Sequence, residues 1–244
     1  MNTPQHRRLF QGKLDYWSYI RSLTSALWYR LDERGAPYDP GNIAYNYGLL
    51  GSVFDGAYIA CNLAQQGKLS VIDAVLFDGV NSKLTIPAGA YGAFPSVTIA
   101  ALVKYTSSGE AAAGRTYDQG GTTLLRFGSG PKLRAQRAAT GGSVSITIAD
   151  ALLATWVWKF ITYQDSGDRK SHIWKGQAGA VSEEGYSTNA AATGTLTDQS
   201  AVALVVGNNA GQANTMDGLM DEFLLFPYVL SLTQMLQIVR LTGV

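Results

Sequence analysis

A single cysteine, Cys61, rules out an intrachain disulfide, so the core alone must hold the fold. Its expected place is that of a small buried apolar side chain. Only two histidines occur, His6 and His172, and with one thiol they leave no zinc site of Cys and His ligands and no clear Ser-His-Asp arrangement. Charge is scarce: 15% of the residues are Asp, Glu, Lys or Arg and the net charge is +1, against about 25% charged residues in an ordinary soluble domain. Nucleic acid binding through phosphates needs a concentrated basic face. Dense basic groups occur only at His6-Arg7-Arg8 and in the series Lys132, Arg134, Arg137, so a nucleic acid partner is not expected. No apolar run is long enough to span a membrane, and the stretch Met1 to Arg8 is not followed by the apolar segment of a signal peptide. Neither membrane insertion nor export by the usual signal is expected.

What the chain does contain points to strands. Its 27 glycines and 13 tyrosines, with many Thr, Val and Ala residues, suit short strands and tight turns, because Gly supplies positive φ and β-branched or aromatic side chains pack on a pleated surface. At 244 residues one large β domain is expected. Alternation predicts core stripes at Val97, Ile99, Ala101 and Val103, at Val144, Ile146 and Ile148, and at Trp156, Trp158 and Phe160. Glycine pairs and clusters at Gly120-Gly121, Gly128 to Pro131, Gly141-Gly142 and Gly207 to Gly211 mark turns. The uncharged segment Tyr186 to Thr195 reads as a long loop, and Ala111 to Gly114 as a shorter one.

Helix formers gather at the ends. Phe10, Leu14 and Trp17, then Tyr16, Ile20 and Leu23, fall at three- and four-residue spacings, which predicts an amphipathic arm over residues 1–22 ahead of a sandwich over residues 23–244. Such an arm either packs back on its own sandwich or docks on a partner; in the second case Phe10, Leu14, Trp17 and Ile20 are the contact residues. At the other end, Ser231 and Gln234 ahead of Met235, Leu236, Ile238 and Val239 form a capping box that starts a helix.

Four motifs occur in a telling order. Asp217-Gly218, Asp221-Glu222 and Leu230-Ser231 resemble the closing strand and short helix of the concanavalin A-like, laminin-G-like jelly-roll family. Ala26 to Glu33 resembles its opening strand, Phe77-Asp78-Gly79-Val80 with Leu84 to Pro87 its Phe-Asp-Gly hairpin, and Thr155-Trp156 through Thr162-Tyr163 its central strand. The resemblance spans roughly residues 23–241 and implies an all-β jelly-roll sandwich of antiparallel strands, with a helical N-terminal arm and a short C-terminal helix. It also implies a structural calcium between an early acidic loop and the closing strand, with Asp39 and Asp221 at the matching positions as hard oxygen donors. The competing reading gives Asp221-Glu222 to turns and backbone N–H groups.

No catalytic residues are expected. The Glu-x-Asp-x-x-Glu pattern of the family's glucanases is missing. In a regular strand Asp217 and Asp221 share a face about 13 Å apart at roughly 3.3 Å per residue, beyond the carboxylate separations of about 5 to 9.5 Å that glycosidases use. Sugar binding needs an exposed aromatic platform, for which Trp174 and Tyr45, Tyr47, Tyr58, Tyr91, Tyr105 and Tyr117 are available. Jelly-rolls of this organisation resemble virion proteins of tailed bacteriophages. That likeness implies a non-enzymatic structural protein on the capsid exterior, a decoration protein bound to the major capsid or another virion protein as a homo-oligomer, with a trimer suited to threefold positions. The alternative is a carbohydrate-binding or adhesion module attaching to surface glycans.

Overall fold

The computed structural model describes residues 15–34, 42–69, 74–128 and 131–244. It is a sandwich of two antiparallel sheets with a helix-covered outer side. In the first sheet the strands run in the order Ala180–Glu183, His172–Gln177, Val157–Gln164, Ser96–Tyr105, Asp217–Phe226, Ala74–Asp78 and Asn62–Gln65, and Leu27–Tyr29 also pairs with Asp217–Phe226. The second sheet runs Tyr186–Ala190, Ser143–Asp150, Lys132–Arg137, Thr123–Phe127, Arg115–Gln119, Leu204–Val206, Lys83–Ile86, Gly56–Ile59 and Ile43–Ala44. A small ribbon, Ala139–Gly141 with Thr193–Leu196, stands beside them. The jelly-roll expectation is met.

Alternate residues of the first sheet serve two cores, because successive side chains of a strand point to opposite faces. Val97, Ile99, Ala101 and Val103 meet Leu125, Phe127, Leu204 and Val206 of the second sheet between the layers. On the other face Ala100, Leu102, Trp158, Phe160, Leu224 and Phe226 pack under the helices. The predicted stripe at Trp158 and Phe160 is thus buried, but outside the sandwich proper, and Trp156 is only half-buried. Many of the tyrosines join the inner core by their rings while their hydroxyls find partners: Tyr105 Oη lies 2.8 Å from Thr116 Oγ1, and Tyr58 Oη donates to Glu33 Oε2 at 2.7 Å.

Two helices cover the outer face of the first sheet. The first, α1, occupies residues 15–22, and its Tyr16 and Ile20 are fully buried in the second core. The second, α2, spans Leu232–Thr242. Its start is the predicted capping box: Gln234 N donates to Ser231 Oγ at 3.3 Å and Ser231 N to Gln234 Oε1 at 2.8 Å. Met235, Ile238 and Val239 face the sheet. Val239 sits so close to Gly176 that a Cβ there would lie 2.4 Å from its Cγ2, which is why that strand carries a glycine. Among the described residues no helix is long and apolar enough to cross a membrane.

Two expectations are corrected. In Ser143–Asp150 the buried face is hydroxylic: Ser143, Ser145 and Thr147 point inward, while Val144 and Ile146 are half-exposed and Ile148 is 59% exposed. Buried hydroxyls demand partners, and they have them. Ser143 Oγ lies 2.6 Å from Ser171 Oγ, Ser145 Oγ donates to Ser171 O, and Thr147 Oγ1 accepts from Leu133 N at 3.0 Å. The segment expected as the loop Tyr186 to Thr195 instead forms most of two short strands, Tyr186–Ala190 at the sheet edge and Thr193–Leu196 in the ribbon. The edge strand is tied in by its cross-strand neighbours rather than by its own propensity. Ala111 to Gly114 contains only the end of one 3₁₀ turn.

Cys61 is half-buried with its thiol donating to carbonyl oxygens of Ile59 and Lys83, and burial pushes that thiol up to about 12. For the helical cover, Ile20→Ala is expected to cost about 2–5 kcal/mol of stability, the range for emptying a buried aliphatic site. Urea denaturation compared with the unaltered chain checks this.

Candidate functional site

The residues singled out from sequence scatter through the fold. Phe10, Leu14 and Asp39 lie outside the described residues. Ile20 is inside the second core, and Trp17 is half-buried beneath the Arg30 guanidinium, whose carbon lies 3.8 Å from its ring centre. Asp221 is 1% exposed and takes backbone N–H groups from Lys68 at 2.5 Å and Leu69 at 2.8 Å. This carboxylate therefore ties the segment at Lys68 and Leu69 to the closing strand. Glu222 accepts the Trp28 indole N–H at 2.8 Å. A β-bulge between Met220 and Glu222 makes the strand irregular, so the even spacing assumed for Asp217 and Asp221 does not hold. Among the described residues no three His, Cys, Asp or Glu side chains gather as a metal site would require.

Of the aromatic residues considered as platforms, Tyr58, Tyr91, Tyr105 and Tyr117 are core residues at 4% exposure or less. Tyr47 is exposed on the loop beside Trp28, 5.9 Å between ring centres. Trp174 is different. It lies on His172–Gln177, one strand in from the sheet edge, and lines a cleft of about 230 Å³ with Thr162, Gln164, Asp168, His172, Glu183 and Val229.

Strand register builds this cleft. His172 stands opposite Thr162 and Trp174 opposite Glu183, and period two puts His172 and Trp174 on one face of their strand. The indole N–H of Trp174 donates to Thr162 Oγ1 at 3.1 Å, which fixes the ring. His172 bridges two acids: Nδ1 lies 2.5 Å from Glu183 Oε1 and Nε2 2.9 Å from Asp168 Oδ2. The Tyr186 hydroxyl donates to the same Glu183 oxygen at 2.9 Å. Each carboxylate has about four lone-pair sites, and both stay partly open, with 50% of the Asp168 and 35% of the Glu183 side chain exposed. The result is a ring held at a fixed angle beside oriented acceptors.

Sequence alone presented His172 as a lone histidine on a strand. The pairing of His172 with Trp174 by alternation was legible, as was that of Thr162 with Gln164. Missing was the register that sets those pairs side by side and brings Glu183 over from the edge strand.

The fold is a jelly-roll sandwich of antiparallel strands, and this cleft is an aromatic, acid-lined depression on its helix-bearing side. No protein-family model and no curated protein matches the chain. Among solved structures it is similar to domain 4 of AbnA, a GH43 extracellular arabinanase from Geobacillus stearothermophilus, in complex with arabinotriose. The TM-score is 0.61 at 14% identity over 88% of this chain and 98% of that one. The botulinum neurotoxin serotype D binding domain gives 0.59 at 9% identity, covering 89% of this chain and 52% of that one. Trypanosoma rangeli sialidase gives 0.60 at 13%, covering 97% and 39%. This chain thus spans about half of the toxin domain and less than half of the sialidase. At these identities the likeness is one of fold.

Glu222 yields a prediction about pH. Burial, then the charge of Asp221, holds its carboxyl well above the usual glutamate range, against the opposing donation from Trp28. In the unfolded chain the same group ionises near about 4.3. Its contribution is complete below that value and declines as pH rises toward the folded pKa, because over that interval the native state keeps a proton that the unfolded state has lost. Glu222→Gln, which retains an acceptor for Trp28, is therefore expected to stabilise the protein at pH 8 and to lose that advantage by pH 4. Melting temperatures of both proteins at the two pH values check it.

Proposed function

We propose that this chain is a carbohydrate-binding sandwich that seats a sugar in the cleft beside Trp174. The observation that carries the reading is the fixed indole ring set against the open lone pairs of Asp168 and Glu183. A sugar presents a C–H face, which packs on an aromatic ring, and hydroxyl donors, which carboxylates accept. An apolar surface with a few placed polar groups is the usual composition of a small-ligand site. His172 holds the two acids apart and in place, so the acceptors are preorganised and binding orders few side chains. The similar arabinanase domain, solved with arabinotriose, supports a sugar ligand as an analogy of fold.

Decoration of a virion shell gains less support. Of the apolar residues expected to reach a partner from the arm, the two described ones, Trp17 and Ile20, both pack on the chain's own second core, and none of the structures named above is a virion protein.

Calorimetric titration with a panel of neutral oligosaccharides, arabinotriose among them, tests the proposal. One or more is expected to bind, and Trp174→Ala should weaken that binding about tenfold or more, the loss of roughly 1.5–3 kcal/mol of ring contact. An unchanged affinity in the variant, or a folded protein that binds no member of the panel or of a broader glycan array, overturns it.

A further inference from the structure

The outer face of the second sheet carries a row of arginines that the fold does not explain. Arg134 stands directly opposite Arg126, and Arg126 directly opposite Arg115, on three neighbouring strands. The partner of Arg126 on each side is thus another cation. Like charges placed directly opposite one another destabilise a sheet. Alternation puts Arg126 and Arg134 on the outward face, since Leu125, Phe127, Leu133 and Ala135 of the same strands belong to the inner core; a β-bulge between Arg115 and Tyr117 breaks the alternation with inward Tyr117 and sets Arg115 beside them, its guanidinium on Asp118.

Their charges are poorly compensated. Among the described residues only Arg115 has an acid within ion-pair distance, Asp118, with Nη1 2.7 Å from Oδ1. Arg126 gives one bond to the Phe127 carbonyl at 3.1 Å and Arg134 one to Gln136 Oε1 at 3.1 Å. A guanidinium has five donors. The Nε atoms of Arg115 and Arg134 are shielded from water and have no acceptor, and a buried donor left without one is costly. Burial, and after it the charges of Arg134 and Arg115, pushes the Arg126 guanidinium down from the ordinary arginine range. Three half-buried cations with unspent donors form a site shaped for an anion.

The row continues into apolar ground. Arg134 pairs on its other side with Ile146, and Ile146 with Thr188. Ile146 is half-exposed and its stripe-mate Ile148 is 59% exposed. A ligand that lies across these strands meets guanidinium forks over about 9–10 Å, two strand spacings of roughly 4.8 Å, and then an aliphatic patch.

We propose that Arg115, Arg126 and Arg134 form a second binding strip, separate from the Trp174 cleft, that takes the carboxylates of an acidic glycan such as a polyuronate. Arginine forks match carboxylates in paired, charge-assisted hydrogen bonds. The neighbouring Val144, Ile146 and Ile148 suit the C–H faces of a sugar ring. Beyond the arginines, the row continues to Ile146 and Thr188, and the row beside it holds Leu124, Gln136 and Val144. No aromatic side chain is among them to stack a base, as single-stranded nucleic acid sites have, and a net charge of +1 gives no broad basic field. The choice of a glycan as bearer of the acid rests on the function proposed above; the anion strip itself does not.

The test titrates the full chain with polygalacturonate, neutral arabinan, dextran sulfate and a single-stranded DNA oligomer at low and physiological salt. It is run on the unaltered protein, on Arg126→Gln and on Trp174→Ala. Polygalacturonate is expected to bind, to weaken roughly tenfold with Arg126→Gln, the loss of one charge-assisted contact, and to be unaffected by Trp174→Ala. Arg126→Gln should also melt at a higher temperature than the parent without ligand, since it removes a cation from between two others, so a loss of binding is not a loss of fold. Polygalacturonate binding that Trp174→Ala removes and Arg126→Gln leaves intact assigns the acid to the cleft and overturns the strip. Binding of dextran sulfate or DNA alone, or equal binding of every polyanion, overturns the carboxylate assignment. Neutral-sugar binding lost only in Trp174→Ala, with no polyanion bound, leaves the cleft standing and refutes the strip.

Discussion

Burial of one strand on both faces governs this molecule. Asp217–Phe226 pairs with Ser96–Tyr105 along one edge and with Ala74–Asp78 and Leu27–Tyr29 along the other. It sends Met220, Phe223 and Leu225 into the inner core and Leu224 and Phe226 under the helices. Such a strand has no solvent side on which to hide an acid, yet it carries two in succession. The bulge at Asp221 resolves the conflict: the extra residue leaves the ladder to receive the N–H groups of Lys68 and Leu69, and the phase of the strand resets so that Phe223 returns to the inner core. Glu222 is then held by Trp28 from the opening strand. The two acids join the beginning and end of the sandwich, and the helices dock on the surface so formed.

Much of this was legible in the chain. The capping box at Ser231 and Gln234, the inner stripe from Val97 to Val103 and the jelly-roll order of motifs all describe local or strongly periodic features, which a sequence displays directly. The stripe of Ser143–Asp150 runs against the rule that apolar residues face inward. The hydroxyl set could take that place only because Ser171 and Leu133, 28 and 14 residues from their partners, supply hydrogen bonds. The acids of the Trp174 cleft and the arginine row were hidden for a related reason. Arg115, Arg126 and Arg134 are spread over twenty residues, and along the chain Arg134 groups with Lys132 and Arg137, of which Arg137 faces inward at 3% exposure. Cross-strand register, which no single segment encodes, is what brings the three together.

The two sheets divide the surface between them. Helices α1 and α2 occupy much of the outer face of the first, and the Trp174 cleft lies at its margin. Among the described residues no α-helix covers the second sheet, and its outward side chains are set by alternation and by the bulges that interrupt it. One binding surface is therefore shaped by packing and preorganised by His172, whereas the other is a flat array whose spacing is that of the β-ladder itself.

The inverted strand has a consequence for solubility. Val144-Ser145-Ile146-Thr147-Ile148 is uncharged, rich in β-branched residues and free of proline and glycine, the composition of a segment prone to ordered aggregation. Only Tyr186–Ala190, a short and equally uncharged edge strand, separates its backbone from open solvent. When that edge frays, a second copy of the chain finds a template with a ready apolar stripe, guarded by charge only at its end, where the strand closes on exposed Asp150.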